Sequence, residues 1–210
     1  MGRRKSKLSL DERAALPVAQ DNPHIEYLRL SRRDICETEI NSAVRLFLLD
    51  EDPISAHLLA SAATEIMSAL SKGQSGVGLN DVRAFTKEVG VAADLEEELF
   101  SSLQHPYNFL KHSSSDFSVE NDFSVDYIVM GLYTAIHSYK ILFENLSPEM
   151  RVFYRMVTAW RLCEWWPEDP HFPEKLQAAR QVGLTDVSRE EFCEVGRRLL
   201  QREWDAEPAQ

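Results

Sequence analysis

The segment Asp126–Glu144 constrains the fold more than any other part of the chain, because it is apolar on nearly every side. Its large apolar side chains are Tyr127, Ile128, Val129, Met130, Leu132, Ile136, Ile141, Leu142 and Phe143. A helix without a polar face belongs where neighbouring helices surround it. The sequence therefore predicts a helix in the middle of a bundle, with His137 buried in it and in need of hydrogen-bond partners.

Helical periodicity and capping signals recur along the rest of the chain, whereas no strand pattern and no internal repeat is found. The other predicted helices are about Arg33–Asp50, Asp52–Leu70, Asn80–Glu88, a long helix ending near His112, Ser147–Pro167, Pro173–Gln181 and Arg189–Trp204. These features predict an all-α fold, a single-domain bundle of six to eight helices spanning residues 31–205. Residues 1–30 lack sustained periodicity and are predicted to form a flexible N-terminal arm.

The helix that begins at Asp52-Pro53 carries two distinct faces. One is an apolar stripe, and the other consists of small or polar side chains: His57, Ala60, Ser61, Thr64 and Ser68. Small side chains allow a neighbouring helix to approach closely, so we expect this helix to be covered on two sides. His57 on the second face is either a structural histidine or a binding residue.

Charge argues against nucleic acid as a general partner. The formal net charge is −11, and Arg3, Arg4, Lys5 and Lys7 supply four of the 23 basic residues, which leaves 19 against 34 acidic ones. Affinity for phosphate backbones rests largely on Lys and Arg, so RNA is a disfavoured partner for so acidic a body.

The cysteines and the apolar runs bear on the compartment. Cys36, Cys163 and Cys193 lie far apart within helical patterns and are predicted to be buried thiols rather than disulfides or zinc ligands. No apolar run is as long as a membrane span, and the N-terminus lacks the apolar core of a signal peptide. We therefore expect a cytoplasmic protein without a membrane partner.

The stretch from Ser101 to Asp116 concentrates the groups that could do chemistry. On a helix, Leu95, Leu99, Leu103, Tyr107 and Leu110 form one apolar stripe. Nearly opposite lie Ser101, His105, Asn108 and His112, and the last two are four residues apart and can act on one group. This polar face is either a solvated surface or, as we hypothesise, a face turned to a cleft or a second subunit.

The run Tyr107-Asn-Phe-Leu-Lys-His112, near the end of a long helix, resembles the HEPN superfamily of small α-helical bundles. That superfamily is marked by Arg–polar–x–x–x–His, typically with Asn after the arginine. Asn108 and His112 match the pattern, whereas Tyr107 stands where the arginine should be. The resemblance implies either a metal-independent RNA-cleaving enzyme that acts as a dimer, or a relative that has lost the motif and acts by binding.

Tyrosine in place of arginine bears directly on mechanism. RNA cleavage by a 2′-hydroxyl needs a cation for the charge that develops on phosphate, and Tyr107 cannot supply one. If activity persists, the resemblance implies His112 as acid–base and Asn108 as the residue that orients it or the phosphate, and the cation would have to be Lys111 or an N-terminal arginine.

Three readings of function remain open, and the sequence leaves enzymatic activity uncertain. The first is a non-enzymatic or catalytically degraded HEPN-like protein that forms a homodimer or binds a protein partner at the His105/Asn108/His112 face. Further candidate binding residues are Tyr107, His57 and Asp116. The second is a metal-independent endoribonuclease, of toxin or defence type, with an altered motif.

The third reading is a metal-dependent helical-bundle enzyme. Its ligands would come from His57, His105, His112, Asp116 and His137. No pair of predicted helices carries the Glu-x-x-His motif typical of such sites. We therefore expect neither a metal nor another cofactor.

Overall fold

The structure is a computed structural model that describes residues 28–49, 52–71, 77–78, 97, 100–101, 103–104, 107–109, 120, 122–165, 172–184 and 187–206. The chain divides into two units, Met1–Ser31 and Arg32–Gln210. The described residues of the first unit, 28–31, contain no helix. The rest of the predicted N-terminal arm lies outside the described residues, as does the predicted helix Asn80–Glu88.

The second unit is helical, and no strand occurs in the part of the chain that the structure describes. Six helices have defined bounds: α1 Arg32–Leu48, α2 Pro53–Ser71, α3 Val125–Phe143, α4 Pro148–Trp165, α5 Phe172–Val182 and α6 Arg189–Ala206. The described residues between 97 and 109, called the 97–109 segment below, are also helical and bring the number to seven. The all-α, six-to-eight-helix prediction is confirmed.

Side-chain caps fix three helix starts where the sequence predicts them. Asp52 accepts hydrogen bonds from the backbone N–H groups of Ile54 and Ser55 at 3.0 and 3.1 Å, which satisfies donors that the first turn of α2 leaves unpaired. The hydroxyl of Ser147 accepts from the Met150 N–H at 3.2 Å and starts α4.

The third cap is a reciprocal capping box at α6. The Ser188 N–H donates to the Glu191 carboxylate at 2.8 Å, and the Glu191 N–H donates to the Ser188 hydroxyl at 3.3 Å. The hydrogen bonds from Ser188 lower the pKa of Glu191.

One part of the core forms where α1, α4 and α6 meet. Phe47, Phe153 and Phe192 are buried, with ring centroids 5.7 to 6.4 Å apart in edge-to-face arrangements. Beside this cluster the buried Glu149 carboxylate accepts from Arg45 Nε at 2.9 Å and from Trp204 Nε1 at 3.3 Å. A buried carboxylate needs such partners, so Glu149 joins the same three helices.

Another part of the core is built from α1, α2 and α3. Helix α2 packs against both α1 and α3, so it has the two helical neighbours expected from the sequence. The Cys36 thiol on α1 donates to the Ala63 carbonyl on α2 at 3.8 Å, and burial raises the pKa of Cys36 to about 11. Cys36 and Cys193 are buried and free, whereas the Cys163 side chain is outside the described residues.

Helix α3 is deeply buried along most of its length. Its buried side chains are Ile128, Val129, Leu132, Thr134, Ala135, Ile136, Ser138 and Tyr139. The expected burial of His137 is wrong in degree, because this side chain is only partly buried. Its side of α3 faces α4: the His137 ring centroid lies 6.1 Å from that of Tyr133 on α3 and 6.2 Å from that of Tyr154 on α4, and these two tyrosine rings stack on each other. Among the described helices, none combines the length and apolar character needed to traverse a lipid bilayer.

Candidate functional site

A cavity of about 700 Å³ lies between α2, α3 and the 97–109 segment, and we call it the α2–α3 cavity. Its described lining residues are His57, Ser61, Thr64, Glu65, Ser68, Phe100, Leu103, Gln104, Tyr107, Asn108, Gly131 and Thr134. The volume falls in the range of small-molecule sites, and the lining mixes an apolar part with several polar groups.

Helix α2 supplies one wall of the cavity through a single helical face. His57, Ser61, Thr64 and Ser68 follow each other at spacings of four, three and four residues, which places them in one row along the helix. This is the small and polar face that the sequence separates from the apolar stripe. Its polar members line the cavity, while Ala60 of the same face is buried in the core together with Ala56, Ala63 and Met67.

His57 is the most deeply buried polar residue of the cavity, with 1% of its surface exposed. Its Nε2 lies 3.3 Å from the Ser61 hydroxyl, whereas its buried Nδ1 has no hydrogen-bond partner in the described part of the chain. The tautomer that leaves no unpaired N–H therefore has the proton on Nε2, donated to Ser61. Burial lowers the pKa of His57 to about 4, so the ring is neutral at physiological pH.

The Ser61–His57 contact resembles a nucleophile–base pair but has different chemistry. In the assigned tautomer Nε2 donates to Ser61 and does not accept its proton. A general base works best with a pKa near the operating pH, and that of His57 is far below it. In a serine nucleophile site a third group orients the base, yet Nδ1 lacks such a partner among the described residues. In this tautomer and protonation state, His57 does not activate the Ser61 hydroxyl as a base.

Gly131 allows α3 to approach the His57 ring. A Cβ atom added at Gly131 would lie 3.2 Å from both Cε1 and Nδ1 of His57, which is tighter than ordinary van der Waals contact. This glycine is used for space, because its backbone is helical. Gly131 thus sets the position of His57 at the inner end of the cavity.

Two buried threonines contribute hydroxyl groups whose protons are already used. Thr64 Oγ1 donates to the Ala60 carbonyl and Thr134 Oγ1 donates to the Met130 carbonyl, both at 2.8 Å. A hydroxyl has one proton to donate. Each oxygen therefore retains only acceptor capacity for any further partner.

The outer part of the cavity carries a carboxylate paired with a phenol. The Tyr107 hydroxyl donates to the Glu65 carboxylate at 3.0 Å, and Glu65 is exposed while Tyr107 is partly buried. Asn108, the next residue, is exposed and also lines the cavity. In the predicted resemblance Tyr107 takes the place of an arginine, and the structure puts the Glu65 carboxylate beside this residue.

The structure brings together three of the residues singled out from the sequence, His57, Tyr107 and Asn108, at this one cavity. His137 is elsewhere, with its Nδ1 3.4 Å from the Tyr154 hydroxyl. Ser101, on the predicted polar face, is exposed. The other candidates, His105, Lys111, His112 and Asp116, lie outside the described residues.

Sequence reasoning missed Glu65, Gly131 and Thr134 as cavity residues. A signal for the last two was present, because Gly131, Thr134 and Ser138 recur at spacings of three and four and form a small or polar stripe along an otherwise apolar helix. That stripe has the same spacing of three and four residues, and the same kind of small or polar side chains, as the face of α2 that lines the cavity. Glu65 gave no signal, since an exposed glutamate on a helix is ordinary.

Within the described residues, no group of three or more His, Cys, Asp or Glu side chains is arranged to hold a metal ion. Comparisons with protein-family models, curated proteins and solved structures found no match for this chain. The function is therefore argued from the geometry of the cavity.

Proposed function

We propose that this chain is a non-enzymatic, catalytically degraded HEPN-like protein that binds a small ligand in the α2–α3 cavity. The observation that carries the proposal is the Tyr107–Glu65 hydrogen bond at the cavity. A phosphate approaching this position would meet a phenol bonded to a carboxylate instead of an arginine fork, and neither of these two groups supplies the positive charge that binds phosphate. RNA cleavage is thus disfavoured at the position where the resemblance requires it.

Binding is supported by the shape and chemistry of the same space. The cavity is large enough for a small molecule, with His57 at its buried inner end and Asn108 at its exposed rim. Asn108 and Gln104 carry amide groups that both donate and accept, so they can adapt to a ligand. These groups offer orientation and specificity without an activated nucleophile.

The binding test uses ligand-observed NMR on the full chain with a mixture of small aromatic alcohols, amines and acids. Gln104→Trp fills the cavity from a partly buried position, and Gln201→Trp makes the same change at an exposed position on α6. We expect binding in the wild type and in Gln201→Trp, and loss of binding in Gln104→Trp. Equal binding in all three proteins would place the ligand elsewhere and refute the proposal.

The catalytic alternative is tested separately. Single-stranded RNA is incubated with the purified chain in EDTA, because the resemblance implies a metal-independent endoribonuclease. We expect no cleavage above that of the buffer. Cleavage that disappears in His112→Ala would restore the endoribonuclease reading.

Homodimerisation is a second candidate function at the neighbouring polar face. It is favoured by the exposure of two uncharged polar side chains there, Ser101 and Asn108, in a chain that otherwise exposes many charges. Sedimentation of the wild type and of Asn108→Ala at matched concentrations tests it. A dimer that the substitution weakens supports this candidate, and a monomer at all concentrations excludes it.

A further inference from the structure

A second cavity, of about 630 Å³, lies between α4 and α6 close to the end of α5, and we call it the α4–α6 groove. Small-molecule sites occupy about 300–1,000 Å³, so the groove has room for one such ligand. None of its described lining residues belongs to the α2–α3 cavity. The proposed function leaves this second space without a role.

Apolar side chains make up most of the described wall of the groove. On α4 they lie in one row along the helix, because Val152, Met156 and Ala159 are spaced by four and three residues. Leu199 on α6 and Leu184 beyond α5 complete the wall. Ala159 and Leu199 are only partly buried and keep surface that a ligand can cover. The hydrophobic effect favours a hydrocarbon body in such a space.

Two exposed arginines line the groove beside this apolar wall. Arg202 on α6 forms no hydrogen bond or ion pair within the described part of the chain. Arg155 on α4 is 72% exposed, and its Nη1 lies 3.7 Å from Glu203 Oε1. Because Glu203 follows Arg202 on α6, this contact brings the Arg155 guanidinium to the same part of α6. A ligand group at this position can reach both guanidinium groups.

The carboxylate at this edge of the groove is already neutralised. Glu203 is the one acidic residue among the described lining, and its Oε2 accepts from Arg151 Nη2 at 2.8 Å. On α6 the nearby Asp205 accepts from Gln201 Nε2 at 2.9 Å and is not among the described lining residues. Three guanidinium groups therefore surround one carboxylate, and positive charge is in excess here.

This local charge acts at closer range than the charge of the whole chain. The net charge of −11 repels anions, but ions in solution screen exposed charges beyond a Debye length of about 8 Å at physiological ionic strength. A carboxylate in contact with Arg155 and Arg202 would lie well within that distance. An arginine fork also matches the geometry of a carboxylate and stays charged at physiological pH.

From these observations we infer that the α4–α6 groove binds a small amphiphilic anion, with its carboxylate at Arg155 and Arg202 and its hydrocarbon chain over the apolar wall. The ligand is a free molecule, because the volume of the groove is that of a site for one small ligand. This site is separate from the cavity of the proposed function.

The test uses three probes with the same alkyl chain and different head groups: octanoate, octan-1-ol and octylammonium. Each is titrated below its micelle concentration into the full-length wild type at constant pH and ionic strength, and binding is followed by NMR of the protein methyl groups. We expect octanoate to bind most tightly and octylammonium most weakly, with shifts centred on Met156, Leu184 and Leu199. Equal affinities for the three probes, or octanoate shifts centred elsewhere, would overturn the inference.

Arg202→Gln removes one guanidinium and keeps a polar side chain. Because Arg202 is exposed, its loss should weaken octanoate binding by about two- to fivefold and leave octan-1-ol binding unchanged. Arg197→Gln is the matched control, since Arg197 is also exposed on α6 but its Nη1 donates to the Leu48 carbonyl of α1 at 3.3 Å. An unchanged octanoate affinity in Arg202→Gln, or equal weakening by both variants, would refute the role of Arg202.

Two tryptophan substitutions separate this groove from the α2–α3 cavity. Ala159→Trp fills the groove and should abolish octanoate binding, whereas Gln104→Trp fills the other cavity and should leave it intact. The opposite pattern would move the ligand to the α2–α3 cavity, which overturns the inference and supports the proposed function. If circular dichroism shows that Ala159→Trp does not fold, the methyl shifts of the wild type decide between the two sites. Binding of vesicles of anionic lipid without binding of free octanoate would assign the groove to a membrane surface and would also overturn the inference.

Discussion

Lowering the pH from 7 to 4 should destabilise the protein through His57 by about 3 kcal/mol. Burial lowers the pKa of His57 from 6.5 to about 4, because the charged ring would lose its hydration. Between these two values the unfolded chain binds a proton that the folded chain does not. The contribution of neutral His57 to the free energy of unfolding is therefore complete above pH 6.5 and is lost as the pH falls towards 4. The difference of about 2.5 pKa units between the unfolded and the folded chain corresponds to about 3 kcal/mol.

The assay is urea unfolding of the wild type and of His57→Gln at several pH values between 7 and 4. Glutamine does not titrate and can still form a hydrogen bond with Ser61. The difference in unfolding free energy between the two proteins at each pH therefore reports the protonation of His57. Glu65 also lines the cavity and carries a carboxylate, so Glu65→Gln is the control and should retain the pH-dependent difference. Parallel stability curves for the wild type and His57→Gln would refute the reasoning, as would an NMR titration of the His57 ring with a midpoint near 6.5.

Three further substitutions test the packing and the site. Leu132→Asp places a charge at a fully buried position of α3 and should abolish soluble folding. The control Ile141→Asp lies on the same helix at a position that is 39% exposed and should be tolerated. Soluble yield and circular dichroism of the two variants test this difference. Gly131→Ala places a Cβ 3.2 Å from the buried His57 ring, a strain of about 1–3 kcal/mol that alanine's better helix propensity offsets by about 1 kcal/mol, so urea titrations should show a net loss of up to about 2 kcal/mol; a gain in stability would show that the His57 ring moves freely. Tyr107→Arg restores the HEPN pattern, yet the new guanidinium should pair with the Glu65 carboxylate. RNA binding in a filter assay should therefore appear only in the double variant Tyr107→Arg/Glu65→Gln, and RNA binding by the single variant would contradict this.

Local signals in the sequence predicted the helices well. The caps at Asp52, Ser147 and Ser188 are determined by side chains that bond to backbone groups two or three residues away, so their meaning does not depend on the rest of the fold. The second face of α2 was also visible, because helical periodicity alone separates it from the apolar stripe. These predictions required no knowledge of which helices are neighbours.

The cavity needed information that periodicity does not contain. Tyr107 and Glu65 are 42 residues apart, and only the packing of the 97–109 segment on α2 brings them together. Helix α3 was taken as apolar all round because Gly131 and Thr134 are small and weakly polar, although they form the side that meets His57. His137 was expected to be buried for the same reason, since the sequence could not indicate that its side of α3 packs against Tyr154.

The most direct test of the central claim is the nitrogen NMR spectrum of the His57 imidazole during titration with a probe from the aromatic mixture that binds the wild type. The account predicts a neutral ring with its proton on Nε2, whose resonances shift progressively and saturate together with those of Tyr107 and Glu65. His57 resonances that stay fixed while the probe shifts other parts of the protein would contradict the claim that the α2–α3 cavity is the binding site.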